Sequence, residues 1–202
     1  MIRQGVPPVI EEGLAELLAT VTGRGTFTAT VDWHDGMAAS DVALVCVGTP
    51  SCPNGSLSTE SLQRVCEQIG EGLASKERYF LVAIRSTVLP GTVERLVIPV
   101  LEARSGKVAG RDFGVCMVPE FLREGSSLKD FFNPPVTVIG ELDARSGETA
   151  AALFQGDRRS AHSYPHRRGG KRKVRMQCIP WPEGHFRERD RKHLQGRRLR
   201  QP

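Results

Sequence analysis

Hydroxyl-bearing residues follow two of the apolar runs in this sequence, at the points where those runs end. Such hydroxyls can hydrogen-bond the phosphate or ribose of a ligand, or hold a water, but they can equally cap the turn that follows. The residues concerned form a Gly-Thr-Pro turn and a Ser-Thr pair: Gly48, Thr49, Pro50, Ser86 and Thr87.

A carboxylate and a cation follow a third apolar run. Glu120 comes directly after Pro119, where a half-buried carboxylate would suit a general base. The alternative is a surface carboxylate paired with Arg123 or Lys129. The guanidinium of Arg123 could bind an anionic substrate through its fork, although an ordinary salt bridge is the more frequent case.

The runs that carry these residues predict the strands of a parallel sheet. Helical patterns separate the short apolar runs, as in strands joined by right-handed crossovers. Ligands bind outside the carboxyl ends of the strands in such sheets, which is where the residues above lie. The predicted strands are 40–50, 79–87, 113–122 and 135–141. We expect the first to be buried on both faces.

Four helices are predicted from apolar residues near helical spacing. They cover 9–22, 57–74, 92–103 and 143–154, and Ser58 is a candidate cap for the second. Strands and helices in this order predict a doubly wound α/β fold.

The charge of the chain divides at about residue 156. Residues 157–202 hold 15 of the 28 Lys and Arg residues but 4 of the 23 Asp and Glu residues, so this tail carries net +11 and residues 1–156 carry net −6. Because the tail shows no helical or strand period, we expect a disordered basic tail after one domain of residues 1–156. A basic arm that binds nucleic acid is the functional alternative.

The spacing of the cysteines and the length of the apolar runs indicate the cellular compartment of the protein. Neither CxxC pairs nor zinc-site spacings occur, so we predict no metal site and no disulfide framework among Cys46, Cys52, Cys66, Cys116 and Cys178. Cys46 and Cys116 lie inside apolar runs, where we expect them to be buried. No run approaches the roughly 20 apolar residues of a membrane helix, and the start shows no signal-peptide pattern. We expect a cytoplasmic protein without a membrane segment.

Four motifs resemble, in order and spacing, those of the UDP-glucose/GDP-mannose 6-dehydrogenases. They are DVALVCVGTPSCPNGSLS (41–58), RSTVLPGTV (85–93), PEFLREGSSLKDFFNPP (119–135) and TVIGE (137–141). The whole span from about Gln4 to Phe154 fits, and its detail is most similar to the GDP-mannose branch. The resemblance implies a partial Rossmann-like doubly wound parallel sheet. It also implies an NAD-dependent, four-electron oxidation of the C6 alcohol of a nucleotide sugar to a carboxylate, through cysteine-bound intermediates.

The resemblance also implies roles for individual residues. Glu120 would be the general base for hydrolysis of the thioester, and Thr87 would lie near the catalytic water. The residues in contact with NAD would be Gly48, Thr49, Pro50, Ser86 and Thr87. The nucleotide-sugar site would be lined by Phe121, Leu122, Arg123 and Glu124. No metal is implied.

The chain departs from the family pattern at both ends. It shows no GxGxxG turn to seat a pyrophosphate, and Val118 stands where the family usually has Asn. The family's catalytic Lys, its catalytic Asn and its nucleophilic Cys have no match in this chain after residue 156. Residues 157–168 and 184–195 can be back-translated to DNA and read again in the frame shifted by one nucleotide. The shifted reading permits sequences similar to the family's continuation after this point. We interpret the basic tail as out-of-frame translation after a frameshift near Gln155–Asp157.

The expected function is that of part of a GDP-mannose 6-dehydrogenase, which makes GDP-mannuronate for alginate. We expect this chain to be inactive alone, because it lacks a match to the nucleophile and to the pyrophosphate turn. We also expect it to be marginally stable, because part of its sheet lacks cover. A UDP-glucose 6-dehydrogenase is the second candidate. A non-enzymatic α/β binding protein with a basic nucleic-acid arm is the alternative from another class. Expected partners are GDP-mannose or UDP-glucose and, for the parent enzyme, further copies of itself; we expect neither a membrane nor nucleic acid.

Overall fold

The computed structural model describes residues 1–53, 55–134 and 136–154, and the backbone of two strands further on. In chain order the strands are β1 Val42–Val45, β2 Leu81–Ile84, β3 Gly114–Met117, β4 Val136–Glu141, β5 His162–Pro165 and β6 Arg175–Pro180. The helices are α1 Leu14–Gly23, α2 Trp33–Ala39, α3 Glu60–Ala74, α4 Ile98–Ser105, α5 Ser127–Phe132 and α6 Ala144–Phe154. A 3₁₀ turn covers Ile2–Gln4, and a π-helical segment, Val93–Val97, leads into α4.

The strands form one sheet in the order β1-β2-β3-β4-β6-β5. β1, β2 and β3 are parallel, as predicted. β4 was expected to continue the parallel sheet, but it is antiparallel to β3 and pairs with it only where Cys116 faces Glu141 and Met117 faces Gly140. A parallel strand requires a connection that returns across the whole sheet. The connection from β3 to β4 contains only the six-residue α5, so β4 starts beyond the carboxyl edge and runs back.

One face of the sheet is covered by α3 and α4. Four apolar residues of α3 recur at helical spacing and are buried, with Val65 partly buried beside them: Leu62, Cys66, Ile69 and Leu73. They pack on β2 and β3 together with residues of α4. The two helices approach closely at Gly70, where a Cβ would lie 2.6 Å from the Cβ of Arg104. This face therefore resembles the buried layer of a complete α/β domain.

The opposite face is covered by α6. Its small residues Ala150 and Ala151 pack on Leu81, Ala83 and Cys116, among others. β1 is an edge strand among the described strands, and its first residue, Val42, packs against this cluster. Leu44 is therefore 48% exposed and Cys46 is exposed, so the predictions of a strand buried on both faces and of a buried Cys46 were wrong. Cys116 is buried, as predicted.

Several predicted boundaries were wrong. The first helix begins at Leu14 rather than at residue 9, after Gly13 in a left-handed conformation with φ 78°. The cap of α3 is Thr59 rather than Ser58, and it makes no side-chain capping bond. The helix expected at 92–103 starts with a π-helical turn, and Pro99, which lacks an N–H, lies just beyond that turn. The short helices α2 and α5 were not predicted.

The tail is described only at β5 and β6, which are antiparallel to each other, with β6 pairing on β4. The remainder of 157–202, and with it the position of the proposed frameshift at 155–157, lies outside the described residues. The disordered tail stays a prediction. None of the described helices is long and apolar enough to cross a bilayer.

Candidate functional site

The loops that follow β1, β2 and β3 leave the sheet at the same edge, because these three strands are parallel. All candidate site residues lie on these loops. The edge thus has two parts: a hydroxyl cluster on the first two loops and a small cavity beside the third.

The hydroxyl cluster is held together by hydrogen bonds between two loops. The Ser86 hydroxyl is buried and donates to the Val47 carbonyl at 2.6 Å. The Thr49 hydroxyl donates to the Thr87 carbonyl at 2.7 Å. The Thr87 hydroxyl is on an exposed residue, and no hydrogen bond from it is recorded among the described residues. Ser86 and Thr49 therefore fix the loops, and the Thr87 hydroxyl remains available for a ligand.

Arg95 holds the far end of the loop after β2. From the π-helical segment, its Nη2 donates to the Pro90 carbonyl at 3.0 Å. Gly91 beneath it has φ 83°, and a Cβ there would lie 2.7 Å from the guanidinium carbon. A side chain at position 91 would thus both strain the turn and displace the arginine. The loop that carries Thr87 is anchored at its two ends.

The third loop borders a cavity of about 40 Å³. Glu120, Phe121 and Leu122 line it, opposite Arg85 and Phe154. The guanidinium carbon of Arg85 lies 5.6 Å from the centroid of the Phe154 ring. Since the cavity is small, it suits a water or one polar group of a larger ligand.

Glu120 is exposed rather than half-buried as expected. Its Oε2 accepts a hydrogen bond from the Leu122 N–H at 2.6 Å, so the carboxylate is turned toward its own loop. It pairs with neither Arg123 nor Lys129. Its second oxygen has no recorded partner among the described residues, and a water could approach it there.

Arg123 forms the ordinary salt bridge that was the alternative to substrate binding. Its Nε and Nη2 donate to Asp130 at 2.9 and 2.7 Å, and its backbone N–H donates to the same carboxylate at 3.0 Å. The Ser126 hydroxyl adds a further bond at 3.1 Å. These bonds, above all those from the Arg123 side chain, hold the pKa of the Asp130 carboxyl well below its usual range. The fork of Arg123 is therefore occupied in this conformation.

Sequence reasoning missed three residues that shape the third loop: Arg85, Asp130 and Glu11. Arg85 precedes the Ser-Thr pair at a strand end, and that position was a usable signal. The spacing of Arg123 and Asp130, seven residues apart, gave no sign that they pair. Glu124, a predicted lining residue, is exposed and has no recorded side-chain hydrogen bond or ion pair in the described part of the chain.

The hydroxyl cluster offers hydrogen-bonding groups to part of NAD, the expected cofactor. A Cβ on Gly48 would meet no atom within 4 Å, so the turn is open beside the exposed hydroxyl of Thr87. Such groups can bind a ribose or a carboxamide. Arg85, at the start of the loop after β2, contacts Phe154, and Arg95, in the π-helical segment that follows this loop, binds Pro90. Within the described ranges, no three metal-binding side chains lie together.

Comparison with known proteins gives this geometry a context. Residues 1–156 match the model of the UDP-glucose/GDP-mannose dehydrogenase family, NAD binding domain. The chain is 49% identical over 155 residues to a GDP-mannose 6-dehydrogenase of Pseudomonas putida, covering 77% of this chain and 35% of that protein. It is 36% identical over 153 residues to a UDP-glucose 6-dehydrogenase of Haloferax volcanii, covering 76% and 35%.

Solved structures agree. A ternary complex of GDP-mannose dehydrogenase from Pseudomonas aeruginosa superposes with a TM-score of 0.75 at 46% identity, over 76% of this chain and 35% of that one. A UDP-glucose dehydrogenase from Pyrobaculum islandicum gives 0.71 at 37% identity, over the same shares. The chain thus spans about a third of the length of the relatives that it matches.

Proposed function

Since this chain belongs to the UDP-glucose/GDP-mannose dehydrogenase family, we propose that it supplies the cofactor side of a nucleotide-sugar 6-dehydrogenase that oxidises GDP-mannose. The observation that carries the proposal is the hydrogen bond from Thr49 to the Thr87 carbonyl. It brings the Gly-Thr-Pro turn and the Ser-Thr pair together at the edge where ligands of parallel sheets bind. The higher identity to GDP-mannose 6-dehydrogenases than to UDP-glucose 6-dehydrogenases favours GDP-mannose as the substrate.

The residues of this chain would divide the work between binding and proton transfer. A bound NAD would supply the hydride acceptor for oxidation of the substrate. Ser86 and Thr49 keep the two loops in place, while the Thr87 hydroxyl and the open Gly48-Pro50 turn would contact the cofactor. Glu120 would accept a proton from a water at its free oxygen. Phe121 and Leu122 would cover the sugar and exclude water from it, with Arg123 and Glu124 at the rim.

Binding without turnover is the expected behaviour of the 202-residue chain, because no counterpart of the family's nucleophilic cysteine is apparent in it. The test is calorimetric titration of the chain with NAD and with GDP-mannose. Thr87→Val should weaken NAD binding about tenfold, the effect of losing one hydrogen bond of roughly 1.4 kcal/mol. Thr149→Val, which alters a hydroxyl bonded only within α6, is the matched control.

Two outcomes would contradict the proposal. One is equal NAD affinity in the Thr87 and Thr149 variants. The other is steady formation of NADH by the purified chain with GDP-mannose. Tighter binding of UDP-glucose than of GDP-mannose would instead assign the chain to the other branch.

For the tail, we propose that residues 157–202 are out-of-frame translation. The end of the family match at residue 156 supports this proposal, as does the change of net charge at the same point. Resequencing the DNA across codon 156 tests it: one corrected base should open a frame that continues the family sequence. An intact frame, together with binding of RNA that weakens steeply with salt, would favour the nucleic-acid arm.

A further inference from the structure

Residue 11, far from every motif, contacts the loop after β3. Oε1 of Glu11 accepts a hydrogen bond from the Gly125 N–H at 2.9 Å, across 114 residues of sequence. Oε2 accepts one from the Ser127 N–H at 3.3 Å. The same segment packs here, because a Cβ on Gly13 would lie 3.4 Å from Cδ1 of Leu128. A carboxylate that accepts two backbone N–H groups makes charge-assisted bonds, which are the stronger kind.

The loop that Glu11 contacts has little packing of its own. Phe121 is 51% exposed and Leu122 is 37% exposed, so neither side chain is anchored in the core. Gly125 adopts φ 78°, a conformation that favours a bend. A loop with few buried contacts takes its conformation from the hydrogen bonds that tie it down.

Those bonds come from two carboxylates. Asp130 binds Arg123 and Ser126 from within the loop's own segment. Glu11 binds the next residues, Gly125 and Ser127, from the N-terminal segment. The end of the loop is therefore held by two carboxylates, Asp130 from its own segment and Glu11 from the N-terminal segment.

We propose that Glu11 is a positioning residue for the substrate loop, residues 120–124. By fixing Gly125 and Ser127, its carboxylate sets the direction in which Glu120, Phe121 and Leu122 face the cavity. The inference rests on the proposed function and extends it to a residue that touches neither cavity nor hydroxyl cluster.

The two oxygens of Glu11 make the role specific to a carboxylate of this length. Glu11→Gln keeps the size but turns one acceptor into an NH₂ donor, which would face an N–H of the loop. Glu11→Asp keeps the charge but is one methylene shorter, so it cannot reach both N–H groups from the same backbone position. Glu12→Gln is the matched control, because Glu12 is the exposed neighbour and no contact of its side chain is recorded in the described part of the chain.

The first experiment measures hydrogen exchange at the amides of Gly125 and Ser127 by NMR in the full 202-residue chain at one pH. Both amides should exchange roughly tenfold faster in Glu11→Gln than in the wild type, and at the wild-type rate in Glu12→Gln. A wild-type chain in which neither amide is protected, or a Glu11→Gln chain that keeps the protection, would overturn the proposal.

The second experiment measures binding of GDP-mannose to the same proteins. Glu11→Gln should weaken it roughly three- to tenfold, Glu11→Asp should recover part of the loss, and Glu12→Gln should match the wild type. The thermal midpoint should be equal in all four proteins, which separates positioning from a general loss of stability. Equal affinity in the Glu11 and Glu12 variants would overturn the inference while leaving the proposed function standing. A wild-type chain that protects both amides but binds no GDP-mannose would instead overturn the proposed function, with the Glu11 contact still supported.

Discussion

On the face covered by α3 and α4, the described part of the sheet buries fifteen residues in one apolar cluster, whereas the face covered by α6 buries seven. The first cluster extends from β1 to β3 and includes large side chains such as Phe80, Phe113 and Leu101. The second depends on small residues of α6 and reaches β1 at Val42. The buried residues around it also include polar ones, Glu141 and Ser146.

The difference shows where the stability of this chain resides. Apolar burial is the main favourable contribution to folding, and it scales with the area removed from water. The α3–α4 face supplies most of that area, so we expect it to govern global unfolding. The α6 face should open more readily, and the uncovered side of β1 should contribute little to the free energy of folding.

The largest effect is expected at the centre of the α3–α4 face. Leu101 is fully buried, so Leu101→Ala should lower the free energy of unfolding by about 2–5 kcal/mol through lost burial and a residual cavity. Urea denaturation measures it. Leu153→Ala on α6, where the leucine is 46% exposed, is the control and should cost far less. Equal losses would mean that the two faces contribute alike.

A smaller loss is expected on the α6 face at Gly147. A Cβ there would lie 1.6 Å from Oε2 of the buried Glu141, so Gly147→Ala must displace that carboxylate. We expect a loss of roughly 1–3 kcal/mol by overpacking, although alanine is the better helix former. Gly36→Ala in α2, where a Cβ would meet nothing within 4 Å, should be neutral or stabilising in the same assay. A stabilised Gly147→Ala chain would show that Glu141 moves at little cost.

The rates at which the buried cysteines react compare directly how readily the two faces open. Burial raises the pKa of Cys66 on α3 and of Cys116 on β3 to about 12, so neither forms much reactive thiolate near neutral pH until its face opens. Cys46 is exposed and should react with iodoacetamide at once. Cys116 should then be labelled roughly tenfold faster than Cys66, as peptide mass spectrometry can follow. Identical rates at the two buried thiols would indicate that both faces open in one step.

The smallest effect is expected at the uncovered side of β1. Leu44 is 48% exposed, so Leu44→Ala should change the free energy of unfolding by no more than about 0.5 kcal/mol. The same urea titration measures it. A loss of several times that size would reveal that a second molecule covers this strand in solution.

Periodicity was enough to predict the α3–α4 face. The spacing of Leu62, Val65, Cys66, Ile69 and Leu73 predicted one apolar helical face, and the structure buries four of them and part of Val65. The parallel pairing of β1 to β3 followed from the alternation of apolar runs and helices. The shared edge of the Gly-Thr-Pro turn and the Ser-Thr pair could therefore be predicted too.

What the sequence could not predict depends on distant parts of the chain. The exposure of Cys46 is decided by how far α6 extends across the sheet, not by the apolar run around the cysteine. The direction of β4 depends on α5, whose six residues are too few for a recognisable period. The Glu11 contact joins backbone N–H groups that every residue but proline carries, so no residue type marked its partner.

The contact between Glu11 and Gly125 also has a consequence for the order of folding. Its two residues are 114 positions apart, so forming it closes a long stretch of chain at a large entropic cost. Helices α3 and α4 and the strands between them can assemble from much nearer neighbours. The loop after β3 should therefore be among the last parts of the chain to reach its final conformation, and a slow final phase in refolding should be absent from the Glu11→Gln chain.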